Sequence, residues 1–125
     1  MTNLNFVLLY VTEPSRSAEF YASLLGRRPM ENSPGFAMFV LDNGLKLGLW
    51  RRSEVQPPAE GAPGSSELIL AVENDRQVDD LFAEWAGNGV VIAQNPTRMD
   101  FGYTFTGLDP DGHRLRVYKL AQQPR

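Results

Sequence analysis

Few residues of this chain can carry acid–base or metal chemistry. The sequence holds one histidine, His113, and no cysteine. Divalent metals take three or four donors and leave room for substrate, and without thiols neither a thiolate site nor a disulfide can form. His113 ends the turn Asp109-Pro110-Asp111-Gly112-His113, where a loop-facing role is expected rather than ligation. Glu67 opens the apolar run Leu68-Ile69-Leu70-Ala71-Val72, and Arg116 alternates with Leu115 and Val117. A buried carboxylate can act as a general base, with Tyr103 or Tyr118 as the acid, although Arg116 nearby would oppose the required rise in pKa. The other candidates form a set of flat or apolar side chains: Phe6, Tyr10, Phe36, Met38, Trp50, Tyr103, Phe105 and Tyr118. Such walls stack planar aromatic ligands, with a few polar groups fixing their orientation. Phe20, Phe82 and Trp85 fall on helix faces and are read as ordinary core.

Two similar stretches must position these residues. Phe6–Val11 is an almost wholly apolar run of strand length. Glu13-Pro14-Ser15 breaks it and starts a helix, with Pro in the first turn and a Ser cap. Ala18, Tyr21, Leu24 and Leu25 recur at helical spacing, and Gly26 supplies a left-handed stop. Ser33-Pro34-Gly35 is a turn. The hairpin Phe36–Leu41, Asp42-Asn43-Gly44, Leu45–Trp50 completes the first module. The second repeats the pattern: a strand over Leu68–Val72, a helix capped by Asn74 or Asp75 and carrying Val78, Leu81, Phe82 and Trp85, a stop at Gly87-Asn88-Gly89, and strands over Val90–Ala93, Tyr103–Leu108 and Leu115–Tyr118. Pro57-Pro58, Gly61, Pro63-Gly64 and Ser65-Ser66 mark a linker. The tail Gln122-Gln123-Pro124-Arg125 is expected to fray.

The expected fold class is α+β: two tandem βαβββ modules forming a curved mixed sheet around a cleft, within one domain over 1–125. The modules span about 4–50 and 66–120, with a linker over about 51–65. Strand alternation sends Val7, Leu9, Val11, Leu68, Leu70, Val72, Leu115 and Val117 toward the helices. The same alternation turns Phe6, Leu8, Tyr10, Glu67, Ile69, Ala71, Arg114, Arg116 and Tyr118 to the open side. Phe36, Met38, Tyr103 and Phe105 join them if the middle strands keep register.

With 125 residues, 42% of them hydrophobic, the chain can bury one sizeable core. A net charge of −3 offers no electrostatic reason to expect nucleic acid or an anionic membrane. No basic segment followed by an apolar run opens the sequence, and no stretch is long enough to span a bilayer. The expectation is a cytoplasmic protein.

These residues resemble the vicinal oxygen chelate superfamily of glyoxalases, bleomycin-resistance proteins and extradiol dioxygenases. The likeness rests on a strand followed by Glu13-x-x-x-Ser17-x-x-Phe20-Tyr21-x-x-Leu24-Leu25-Gly26, and on Asp109-Pro110-Asp111-Gly112-His113 before an apolar strand. It covers nearly the whole chain and is specific for the fold rather than the reaction. Its metal enzymes place His or Glu at four strand positions, which here hold Phe6, Gly48, Glu67 and Arg116. Only Glu67 could ligate, since Phe6 and Gly48 lack donors and Arg116 repels a cation. The resemblance therefore implies no catalytic metal, no cofactor and no assigned catalytic residue, with Glu67 and Arg116 forming a salt bridge in place of the metal.

Ser33-Pro34-Gly35-Phe36-Ala37-Met38-Phe39, Leu47-Gly48-Leu49-Trp50 and Met99-Asp100-Phe101-Gly102-Tyr103-Thr104-Phe105 are most similar to the antibiotic-binding branch, phenazine-resistance proteins above all. That likeness implies metal-independent sequestration of a planar aromatic small molecule. It also implies a homodimer with clefts shared between chains through exchanged modules, which the Pro/Gly-rich linker would permit. The ligand-binding set is then Phe6, Tyr10, Phe36, Met38, Trp50, Glu67, Tyr103, Phe105, Arg116 and Tyr118. The alternative is a glyoxalase-like lyase or dioxygenase-like enzyme of the same superfamily, metal-bearing or metal-free with Glu67 as base.

Overall fold

A computed structural model describes residues 2–121; the expected frayed tail lies outside the described residues. The chain divides into two compact units, with the boundary between Gly61 and Ala62.

The first unit runs β1 (Phe6–Val11), α1 (Pro14–Leu25), β2 (Glu31–Ser33), β3 (Phe36–Val40) and β4 (Lys46–Arg51). Its four-stranded sheet has the order β1-β4-β3-β2. β1 pairs in parallel with β4, and the other pairings are antiparallel. Pro14 takes the first helical position, where its missing N–H costs nothing. The N-cap is Glu13, which makes no side-chain cap bond, so the expected Ser cap is corrected: Ser15 lies inside the helix. Gly26 ends α1 at φ 65°, a left-handed conformation in which glycine carries no Cβ penalty. Leu9, Val11, Ala37, Phe39, Leu47 and Leu49 are buried together with Ala18 and Tyr21 of α1.

The second unit repeats that order as β5 (Glu67–Ala71), α2 (Asp75–Gly87), β6 (Val91–Met99), β7 (Gly102–Leu108) and β8 (Arg114–Leu120). Its sheet has the order β5-β8-β7-β6, with β5 parallel to β8. Asn74 caps α2 by accepting from the Gln77 N–H at 2.9 Å, and the Gln77 side chain accepts from the Glu73 N–H at 2.7 Å. Reciprocal bonds of this kind satisfy otherwise orphaned donors at the helix start. Val78, Trp85, Phe105, Leu115 and Val117 are buried, and Trp85 meets Phe105 edge to face. Each unit is thus an α+β module, and the tandem βαβββ repeat is present.

Three features depart from the sequence reading. β2 was not expected; it is a short, polar, exposed edge strand without an apolar period to reveal it. β6 continues to Met99 instead of stopping at Ala93. It does so through register shifts between Ile92 and Thr97, which accommodate Pro96 on an edge strand where no ladder donor is required. The expected linker over 51–65 is partly structured. Arg51 belongs to β4, Arg52–Glu54 form a 3₁₀ turn, and Val55 is only 2% exposed.

Candidate functional site

In the first unit, β1 and β4 align Phe6, Leu8 and Tyr10 beside Lys46, Gly48 and Trp50. β3 adds Phe36 opposite Trp50 and Met38 opposite Gly48. These residues share the sheet face away from α1. Tyr10 and Trp50 meet edge to face with centroids 6.4 Å apart. Lys46 Nζ lies 5.9 Å from the Phe6 ring centroid. Gly48 is required by its neighbours rather than by its backbone. A Cβ there would lie 2.6 Å from Leu8 Cδ2, 2.8 Å from Phe6 Cε1 and 3.3 Å from Phe36 Cε1.

In the second unit, Glu67, Ile69 and Ala71 on β5 and Arg116 and Tyr118 on β8 line a concavity of about 470 Å³, with Phe101 at its side. Arg116 grips Glu67 with two parallel bonds, Nε to Oε1 and Nη2 to Oε2, both 2.8 Å. Its Nη1 donates to Gln94 Oε1 at 2.9 Å and to Thr104 Oγ1 at 3.3 Å. Thr106 Oγ1 donates to the same Gln94 oxygen at 3.4 Å, and Thr104 to the Val117 carbonyl at 2.8 Å. The pair is mostly withdrawn from water, with side chains 16% and 22% exposed for Arg116 and Glu67. The hydrogen bonds from Arg116 hold the Glu67 carboxyl below its ordinary range, against the upward push of burial. Tyr118 and Phe101 meet edge to face at 6.2 Å, and the Arg116 guanidinium lies 5.8 Å from the Phe101 ring centroid.

Tyr103 and Phe105 are corrected. Both point to the helix side of their sheet. Phe105 is 0% exposed and packs on Phe82 and Trp85, with centroids 5.6 and 5.0 Å away. The Tyr103 hydroxyl donates to Asp79 Oδ1 on α2 at 2.7 Å, and the Arg98 guanidinium covers its ring at 4.7 Å. Register explains the reversal. β7 pairs Thr104 with Tyr118 and Thr106 with Arg116, so the threonines share the open face. Gln94 and Phe101 escaped the sequence reading. Gln94 lies in the stretch of β6 that Pro96 disguised, and Phe101 precedes Gly102 at the β6–β7 hairpin rather than within a strand period. His113 closes the turn after β7, where the Asp109 carboxylate accepts from the backbone N–H groups of Asp111 and His113, both at 2.9 Å.

The model of the Glyoxalase/Bleomycin resistance protein/Dioxygenase superfamily matches residues 3–117. The chain belongs to this superfamily. Among curated relatives, the phenazine antibiotic resistance protein EhpR of Enterobacter agglomerans is 32% identical over 119 residues, covering 93% of this chain and 91% of that protein. A trivalent organoarsenical cleaving enzyme of Bacillus sp. (strain MD1) is 30% identical over 115 residues, 88% of this chain and 68% of the enzyme. Among solved structures, an Agrobacterium tumefaciens protein determined by NMR in solution is 54% identical, with TM-score 0.90, covering 98% of this chain and 100% of that one. A glyoxalase-related enzyme from Fulvimarina pelagi shares the fold at 22% identity and TM-score 0.82, covering 95% and 88% of the two chains.

The superfamily's metal chemistry does not fit the residues at the corresponding positions of this chain. Phe6 offers no donor atom, and the space beside Gly48 is filled by Phe6, Leu8 and Phe36. Both Glu67 oxygens already accept from a cation that cannot deprotonate. Among the described residues, no group of three or more His, Cys, Asp or Glu side chains is gathered together. Among the described residues, no helix is long and apolar enough to cross a membrane.

Proposed function

We propose that this superfamily member binds a planar aromatic small molecule without a metal ion and releases it unchanged, lowering its free concentration. One observation carries the reading: the Glu67 carboxylate is paired with Arg116 and held ionised beside an aromatic concavity, leaving the site equipped to hold a flat ligand rather than to abstract a proton from it. The likeness to a phenazine antibiotic resistance protein supports the same conclusion and points to an antibiotic of that type.

A metal-free enzyme with Glu67 as base is disfavoured because its carboxyl is held below the ordinary range, whereas a base poised near neutrality needs the opposite shift. Cleavage of organoarsenicals is disfavoured because the chain has no cysteine to bind thiophilic arsenic. The working form proposed is a cytoplasmic homodimer with sites shared between chains. Supporting this are the edge positions of β1 and β5 in their sheets and the exposure there of Leu8 and Ile69.

A tryptophan-fluorescence titration with phenazine tests the reading. Trp50 lies on the open face of the first unit, whereas Trp85 is buried against α2's neighbours. Saturable quenching that Trp50→Phe abolishes and chelator leaves intact is expected. No quenching, or quenching that requires added metal, would overturn the proposal.

A further inference from the structure

The concavity of the second unit holds one cation and one anion, and the anion has the greater bonding capacity to offer. Four of the five guanidinium hydrogens of Arg116 are committed: two to Glu67, one to Gln94 and one to Thr104. The single hydrogen left cannot form the two-pronged grip by which arginine receives a carboxylate. Glu67 differs. An ionised carboxylate accepts about four hydrogen bonds. Arg116 fills one site on each oxygen, and Arg114 Nη1, at 3.9 Å, is beyond hydrogen-bond reach. The remaining wall is apolar, from Ile69, Ala71 and Phe101, apart from the Tyr118 hydroxyl.

We infer that this site selects planar aromatics bearing a hydrogen-bond donor, such as an aromatic amine or phenol, received by the outward lone pairs of Glu67, and gives no advantage to aromatic carboxylates. The inference rests on the aromatic-binding reading and names the ligand chemistry within it. The lowered Glu67 pKa agrees, because it keeps the group ionised and purely accepting at neutral pH. Gln94 and Thr104 act as positioning residues: they hold Arg116, Thr106 bonds the Gln94 oxygen, and Arg116 holds Glu67 in one orientation.

Calorimetric titration with four probes of equal ring size tests this: phenazine, 2-methylphenazine, 2-aminophenazine and phenazine-2-carboxylate. A hydrogen bond to a charged acceptor corresponds to a gain of about tenfold or more in affinity. The amine is expected to bind at least about tenfold tighter than its methyl isostere, with the carboxylate no tighter than the methyl compound. In Glu67→Gln that advantage should shrink to about threefold or less. Equal affinity for amine and methyl probes, or tightest binding of the carboxylate, overturns the donor preference and leaves aromatic binding standing. Failure of all four probes overturns both. The wild-type comparison alone decides the matter if the variant does not fold.

Discussion

Arg116 and Glu67, 49 residues apart in sequence, meet through two 2.8 Å bonds on adjacent parallel strands of the second unit. Each is the other's main stabiliser. The glutamate lowers its own pKa through this partner, and the arginine's is raised by it. Breaking such a pair strands the survivor, whereas replacing both can be nearly neutral. Arg116→Met should therefore destabilise the protein by about 2–4 kcal/mol in chemical denaturation. The double variant Glu67→Leu/Arg116→Met should recover most of that loss without recovering donor-selective binding. A single variant as stable as the parent would show that the pair is ornamental.

The pH dependence follows from the direction of the Glu67 shift. Its folded pKa lies below the ordinary value of 4.5, so the pair's contribution is fully present well above pH 4.5 and is lost as pH falls through the folded value. The stability gap between the parent and Glu67→Gln should be widest at neutral pH. It should close progressively on acidification below pH 4.5. A gap that is constant with pH in urea titrations would contradict an ionised, paired Glu67.

Tyr103 offers a check on which face of β7 is which. Its hydroxyl donates to Asp79, which raises its pKa. In an ultraviolet titration Tyr103 should ionise in a late phase, above the ordinary tyrosine range, and Asp79→Asn should bring that phase down. Tyr103→Phe should remove the late phase while ligand affinity stays within about twofold. A large loss of binding in Tyr103→Phe would return this residue to the ligand site.

Gly48 tests the first unit. An alanine there must push aside Leu8, Phe6 and Phe36, all of which approach through the ends of their side chains. Overpacking of this kind costs about 1–3 kcal/mol. Gly48→Ala should thus lower stability modestly and weaken aromatic binding by moving the rings. Gly48→His should not create a metal site, because neither Phe6 nor Met38 beside it supplies a useful second donor. Metal-dependent stabilisation of Gly48→His would refute this.

Much of this architecture is legible in the chain. Apolar runs at Phe6–Val11 and Leu68–Val72, the helical spacing of Val78, Phe82 and Trp85, and the Gly26 stop all carry their own physical signal. The Glu67–Arg116 pairing follows from counting alternate residues along two strands whose inward faces are unambiguous. The middle of the second module is less legible for equally physical reasons. In Tyr103-Thr104-Phe105-Thr106 either alternation looks plausible, since threonine suits a strand on either face. Burial of Phe105 against α2 and the threonine bonds to Arg116, Gln94 and backbone decide it. Gln94 is invisible because Pro96 makes its strand look finished.

Equilibrium dialysis of metal-stripped protein against phenazine, with chromatographic recovery of the ligand, tests the central claim most directly. The account predicts stoichiometric, saturable uptake that excess chelator does not change, with phenazine recovered intact after denaturation. Uptake only after metal is restored, or recovery of an altered compound, would contradict it.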